Sequence, residues 1–255
     1  MAGGPTRGPG AAVSAPRRLW APPEYWTEAE VRLPPEEVHH AERVLRLRAG
    51  DEVTVLDGAG RTARCVLAGE LSSNPRAAIV ESALHPRPNP EIVVYQGAAR
   101  GTKVDSVVGR LGALGAAEVV VFSSERSVVS WDAGKSERLA ERWAGLARAA
   151  AKQSGNPWIT ATALPLTWAD LLVRIEQEPT AVLLWEEART ALREVVSGGR
   201  IAVVVGPEGG ISRAEAAALE SAGAVPASLG PRILRTEEAA VAAVIGLLWH
   251  FGAIG

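Results

Sequence analysis

Residues 201–240 read IAVVVGPEGGISRAEAAALESAGAVPASLGPRILRTEEAA. The stretch opens on an unbroken apolar run, 201–205, with β-branched side chains at Ile201, Val203, Val204 and Val205. Such a run, bounded by glycines, predicts a strand buried on both faces of a parallel sheet. Gly206-Pro207-Glu208-Gly209-Gly210 follows at once. Ser212 with Glu215 three residues later is a capping box that starts a helix. A second strand is predicted over 224–229, then a second loop over 230–235. That loop enters a helix that Thr236 can cap, with Glu237 and Glu238 in its first turn, where the helix dipole favours carboxylates. Two glycine-containing loops thus leave two strand ends, and each opens a helix. Open α/β sheets bind ligands beyond the carboxyl ends of their strands, and glycine lets backbone approach a ligand closely. Spacing alone leaves two readings open: a ligand crevice, or ordinary strand–helix turns.

Composition narrows the class. The chain has 255 residues, 47% hydrophobic and 22% charged, which is enough for one large domain or two modest ones with a substantial core. The formal net charge of -2 argues against a general polycation but leaves room for a local basic patch. Cys65 is the one cysteine, which excludes an intrachain disulfide and a cysteine-based zinc site and fits a reducing cytoplasm. No apolar run precedes Leu19, so no signal peptide is expected. Residues 239–249 are the most apolar segment, yet shorter than the roughly 20 residues that span a bilayer; no membrane association is expected. Apolar all round, the segment is read as a helix buried on every side, in a core or a subunit interface.

Taken in order, residues 1–16 are Gly/Pro/Ala-rich and read as a disordered tail. A helix is predicted over 34–47, with Val38, Ala41 and Leu45 at helical spacing and Gly50 ending it. Residues 51–56 and 62–67 form a hairpin around Asp57-Gly58-Ala59-Gly60, and 77–84 is a further strand. Arg43 and Arg46 would share a helix face and Arg48 extend it, as a phosphate-tracking patch or a solvated face. His39 and His40 are adjacent, point in different directions and lack completing ligands, so no metal site is expected. Three prolines within 85–90 mark a stiff linker and a domain boundary. Beyond it, strands are predicted over 92–96, 119–122 and 181–185, the last ending at Glu186. Thr102 with Asp105 caps one helix and 136–153 is another, giving an α/β sheet with helical crossovers. Gly134-Lys135-Ser136 is no P-loop, because Val129 stands where its first glycine belongs. Dinucleotide-binding, nucleophile-elbow and HExxH motifs are absent from the sequence.

The motifs carry a resemblance as well. GPEGG at 206–210 with LGPRILRTEEA at 229–239 resembles the SPOUT class of RNA methyltransferases, and most closely the bacterial 16S ribosomal RNA (uracil-N3) methyltransferase family. HHAERVLRLRAGDEVTVLDGAG at 39–60 and GTKVDSVVGRLGALG at 101–115 are similar to further patterns of that family. Arg110, Ala113, Asn156 and Glu238 depart from it. The resemblance spans residues 17–255. It implies a PUA-like RNA-binding domain over 17–88 and a trefoil-knotted α/β methyltransferase domain over 89–255. It implies methyl transfer from S-adenosylmethionine to N3 of a uridine in 16S ribosomal RNA of the small subunit, by a homodimer with sites at the subunit interface.

The cofactor would meet Trp185, Glu186, Gly206, Pro207, Glu208, Gly209 and Gly210 from one side. Leu229, Gly230, Ile233, Leu234 and Thr236 would meet it from the other. Uracil N3 is a poor nucleophile until it loses its proton, so the reaction calls for a base and for a cation near the uracil oxygens. Arg235 is the candidate cation, or a salt-bridge partner; Glu237 is the candidate base, or an ordinary first-turn carboxylate. Arg18, Arg43, Arg46, Arg48, Lys103 and Arg126 are the candidate RNA contacts. A ribose 2′-O-methyltransferase of the same class and a non-catalytic RNA-binding protein are the alternatives.

Overall fold

The structure, a computed structural model, describes residues 17–69, 75–127 and 131–255. The tail expected at 1–16 lies outside the described residues.

The first sheet holds β1 (Arg18–Trp20), β2 (Glu30–Arg32), β3 (Glu52–Leu56), β4 (Arg61–Ala68) and β5 (Arg76–Leu84), in the order β1-β3-β4-β5-β2. The hairpin forms where the alternation predicts it, with Glu52 opposite Val66 and Leu56 opposite Thr62. Asp57 closes its turn, Oδ1 accepting from the amides of Ala59 (2.7 Å) and Arg61 (2.9 Å). Inward positions Val53, Val55, Ala63, Cys65 and Leu67 make one core with Leu19, Val31 and Ala77.

The helix expected over 34–47 is shorter and irregular. It comprises α1 (Pro35–His39) and a π-helical turn, His40–Val44. Arg46 then takes a left-handed conformation, φ 54°. The wide turn leaves Leu47 to be brought back into the core, where its N–H bonds the Ala41 carbonyl at 2.9 Å, and only a reversal at Arg46 achieves this. Arg43 and Arg46 therefore share no helix face, and the chain turns before Gly50.

The second sheet holds β6 (Glu91–Gly97), β7 (Glu118–Phe122), β8 (Ala161–Thr162), β9 (Ala181–Leu184), β10 (Arg200–Val205) and β11 (Ala224–Ala227), in the order β11-β9-β10-β6-β7-β8. Every pairing is parallel. The helices are α2 (Lys103–Leu114), α3 (Ala133–Ser154), α4 (Trp168–Glu176), α5 (Arg213–Ser221) and α6 (Thr236–His250). Alternate strand residues face opposite layers. Ile92, Val94, Ile201 and Val203 pack against α2, α3 and α6; Val93, Tyr95, Ala202 and Val204 pack against α4 and α5. Burial on both faces explains the continuous apolar runs.

Local differences from the sequence reading have local causes. Thr102 makes no side-chain cap, its backbone (φ -99°, ψ 15°) lying outside the extended conformation of a cap, and the Asp105 carboxylate that would complete a capping box is taken by Arg142 (2.6 Å) and the Trp143 indole N–H (3.1 Å). α3 starts earlier than expected, at Asp132, whose carboxylate accepts from the Lys135 amide. α4, closed by a Thr167–Asp170 capping box, and the short β8 carry too little pattern to be read from sequence. β9 stops at Leu184, leaving Trp185 and Glu186 in the turn beyond, and β11 stops at Ala227. α6 is buried on one face only: Ala240, Ala243, Val244 and Leu247 are inside, while Ile245 is 42% and Trp249 69% exposed.

At the amino ends of the strands, Arg200 ties the sheet together. Its guanidinium bonds Glu178 (2.8 Å) and Glu91 (2.8 Å) and lies 3.5 Å from Glu118. Tyr95 donates to the same Glu178 at 2.8 Å. Burial first, and then the Glu178 bond, raise the Tyr95 hydroxyl above its ordinary value, so the phenol stays a donor. Removing one partner of a buried pair strands the other charge. Arg200→Met is expected to lower unfolding free energy by about 2 kcal/mol, less than the roughly 3–5 of a fully buried pair because Arg200 is partly exposed. A urea midpoint unchanged from that of the wild type would show that the network adds no stability.

Candidate cofactor and active site

The carboxyl ends of β9, β10 and β11 open into a cavity of ≈ 810 Å³, within the range of small-molecule sites. The loop after β10 forms one wall and the loop after β11 the other, and the first turn of α6 closes the end. The first loop is a tight turn, with the Gly210 amide bonding the Pro207 carbonyl at 2.9 Å. It presses against the end of β6. A Cβ on Gly97 would sit 2.3 Å from the Pro207 nitrogen, so only glycine fits there. In the second loop Gly230 has φ +114°, strained for any side chain, and its amide bonds Ser228 Oγ at 3.1 Å. Ile233 is 88% exposed there.

The cavity brings together the residues singled out in the sequence. Trp185, Glu186, Gly206, Pro207, Gly209 and Gly210 line it, as do Leu229, Gly230, Ile233, Leu234 and Thr236. Arg235 and Glu237 line it too. Glu208 also lines it, but its carboxylate is engaged elsewhere, accepting from the Arg100 amide (3.0 Å) and Lys103 Nζ (3.0 Å). Burial alone would raise the Glu208 carboxyl; the Lys103 bond and the backbone amides outweigh it and hold the group below its ordinary value. Glu208 thus clamps the loop to the start of α2. Lys103 is committed to that clamp and Arg126 to another, donating to the Gly209 carbonyl at 3.2 Å. Arg18 lies at the far end of α3, bonding the Lys152 and Gln153 carbonyls at 3.1 and 2.9 Å. Arg43, Arg46 and Arg48 are exposed on the first sheet's module.

Thr236 is not the helix cap. Arg235 takes that position, its amide bonded by Glu238 Oε2 (3.2 Å) while the Glu238 amide bonds the Arg235 carbonyl (2.9 Å). The Thr236 hydroxyl instead donates to the Gly206 carbonyl at 2.5 Å and accepts from Gln96 Nε2 at 2.7 Å. Sequence reading missed Gln96; its only signal was one amide inside an apolar strand. Among the described residues the Arg235 guanidinium forms no ion pair, so the salt bridges weighed for it do not form. Glu237 Oε2 is buried without a hydrogen-bond partner. The end of the cavity is therefore lined by Arg235 and, two residues on, by Glu237, one of whose carboxylate oxygens is buried without a partner.

Comparison with known proteins gives the class first. The model of an RNA methyltransferase domain matches residues 86–248, and that of an RNA methyltransferase PUA domain matches residues 33–74. Ribosomal RNA small subunit methyltransferase E of Mycobacterium bovis is 33% identical over 221 residues, 84% of each chain. The Bacillus subtilis protein of the same name is 31% identical over 225 residues, 84% of this chain and 88% of its own. The crystal structure of a ribosomal RNA small subunit methyltransferase E from Neisseria gonorrhoeae bound to S-adenosyl methionine superposes with a TM-score of 0.81 at 26% identity, covering 92% of this chain and 97% of that one. The chain belongs to the ribosomal RNA small subunit methyltransferase E family.

Proposed function

We propose that this methyltransferase transfers a methyl group from S-adenosylmethionine to N3 of a uridine in 16S ribosomal RNA of the small subunit. The observation that carries the reading is the cavity beyond β9–β11, walled by two loops and ended by Arg235 and Glu237. Its contents fit that cofactor. Backbone groups of the two loops suit the polar edge of an adenine, and Leu229, Ile233 and Leu234 suit its faces. Bound there, S-adenosylmethionine supplies an electrophilic methyl group, so no metal is needed.

This chain's residues then handle the proton and the charge. The Glu237 carboxylate, on the cavity wall, would accept the N3 proton, leaving the N3 lone pair free for the methyl group that the cofactor would supply as its bond to sulfur breaks. Arg235 donates to the uracil oxygens, over which negative charge spreads when the proton leaves. Arg235→Ala is expected to cost about 2–4 kcal/mol of transition-state stabilisation, the range for a lost oxyanion donor. Arg235→Lys keeps the charge but loses the fork, and recovers part. Single-turnover methylation, with cofactor affinity measured separately by calorimetry, checks both variants; a normal rate with easier unfolding gives Arg235 a structural role. Mass spectrometry of the product nucleoside tests the reaction itself. 3-Methyluridine is expected, a 2′-O-methylated ribose assigns the alternative chemistry, and no methylation leaves an RNA-binding protein.

We assign residues 17–88 to a PUA-like RNA-binding domain and 89–255 to the methyltransferase domain, whose chain threads a trefoil knot. The exposed Arg43, Arg46 and Arg48 would track phosphates. Reversing the charge at Arg43 and Arg48 is expected to weaken RNA binding and flatten its salt dependence by about one unit of slope per lost contact. An unchanged slope returns them to a solvated face.

The working unit is a homodimer. Ile245 and Trp249 stand one turn apart on the open face of α6, the kind of apolar surface that a symmetric partner covers. Trp249→Glu is expected to yield monomers by light scattering at micromolar protein. A wild type that is already monomeric overturns the dimer.

A further inference from the structure

Gln96 lies in β6 with 0% exposure, between Val205 of β10 and Val121 of β7. An amide in such a place is costly unless bonded. Its Nε2 donates to the Gly97 carbonyl at 3.1 Å and to Thr236 Oγ1 at 2.7 Å. The Thr236 hydroxyl gives its single hydrogen to Gly206, so towards Gln96 it can only accept, which fixes the amide's orientation. The other end, Oε1, is buried with no partner. Leucine would fill this place between two valines without leaving a bare acceptor, so stability alone does not account for glutamine. What the amide adds is a link between the end of β6, the first turn of α6 and the first residue of the loop after β10.

We infer that Gln96 is a positioning residue of the methyl-transfer site, setting Arg235 and Glu237 against the Gly206 loop through Thr236. This rests on the reading of the cavity as the cofactor site. Gln96 touches neither cofactor nor RNA; it acts by holding two cavity walls at one spacing. Sub-ångström misplacement of such walls is expensive for transfer chemistry.

Three single variants and one double variant test it. Gln96→Leu is expected to keep or raise the melting temperature. Its S-adenosylmethionine affinity should fall about tenfold and kcat should fall further, with KM for the RNA unchanged. Gln96→Glu adds a reading that mere packing would not move. A buried carboxyl titrates well above an exposed one. While neutral it donates one bond to Thr236 and substitutes in part for the amide. Once ionised it presents only acceptors to Gly97 and Thr236, and the link breaks. Cofactor affinity of Gln96→Glu should therefore fall by about tenfold between about pH 6 and about pH 9, while the wild type changes little over the same range. In a double-mutant cycle, Gln96→Leu and Thr236→Val should be strongly non-additive, because each severs the same link. Additive losses, or a Gln96→Glu affinity that follows the wild type at every pH, overturn the inference. A wild type that fails to bind S-adenosylmethionine sinks the cavity reading instead, so the two failures are distinguishable. If Gln96→Leu does not fold, Gln96→Glu at low pH still decides.

Discussion

Parallel pairing of β10 between β6 and β9 is the constraint on which the molecule depends. Val203 sits opposite Val94 on one side and Val182 on the other. With both edges bonded and both faces covered, β10 cannot slip without moving its valines between layers. That register fixes where the strand ends, and so where Gly206 begins. β6 ends beside it, close enough that Gly97 admits no side chain. The cavity is the space left when parallel strands stop together and their loops diverge to opposite helix layers.

The two ends of this sheet are treated differently. At the amino ends the charges are paired off, Arg200 with three carboxylates, Tyr95 with one of them. At the carboxyl ends, among the described residues, the Arg235 guanidinium forms no ion pair and Glu237 Oε2 has no hydrogen-bond partner. Unpaired groups are costly in a fold and are tolerated where a ligand completes them. The charges near the cavity that are paired hold its walls: Glu208 with Lys103, and Arg126 with the Gly209 carbonyl.

The first module is tied to the second through α3. Lys152 pairs with Glu37 of α1 at 2.5 Å, both mostly buried, and Glu37 also accepts from the Trp20 amide. Arg18 caps the last carbonyls of α3, where a cation also meets the negative end of the helix dipole. The hairpin turn bonds across the seam, Gly60 to Pro157 and Ile159 to Gly58. His40, lowered first by burial and then by the Lys152 charge, is neutral at pH 7 and adds nothing to the basic patch. Arg43, Arg46 and Arg48 are therefore presented by a module docked at many points.

Sequence alone determined the parts whose signals are local. The apolar runs of β6, β7, β9 and β10 announce strands buried on both faces, Asp57-Gly58-Ala59-Gly60 announces its hairpin, and Ser212 with Glu215 announces α5. The two glycine loops offered a ligand crevice as one of two readings, and the positive φ at Gly210 and Gly230 is one that glycine adopts without strain. Long-range packing decided the rest. Whether Glu208 faces a ligand or Lys103, 105 residues away in the chain, depends on where α2 docks. Arg18 reads as a free cation until α3 places two carbonyls beside it. Arg46 leaves the helix because Leu47 is pulled into a core built by distant strands. Gln96 is one polar letter in an apolar run, and its meaning comes from Thr236, 140 residues later. Backbone preference is carried by neighbours in the chain, whereas a side chain's partner is set by the sheet that folds the chain back on itself.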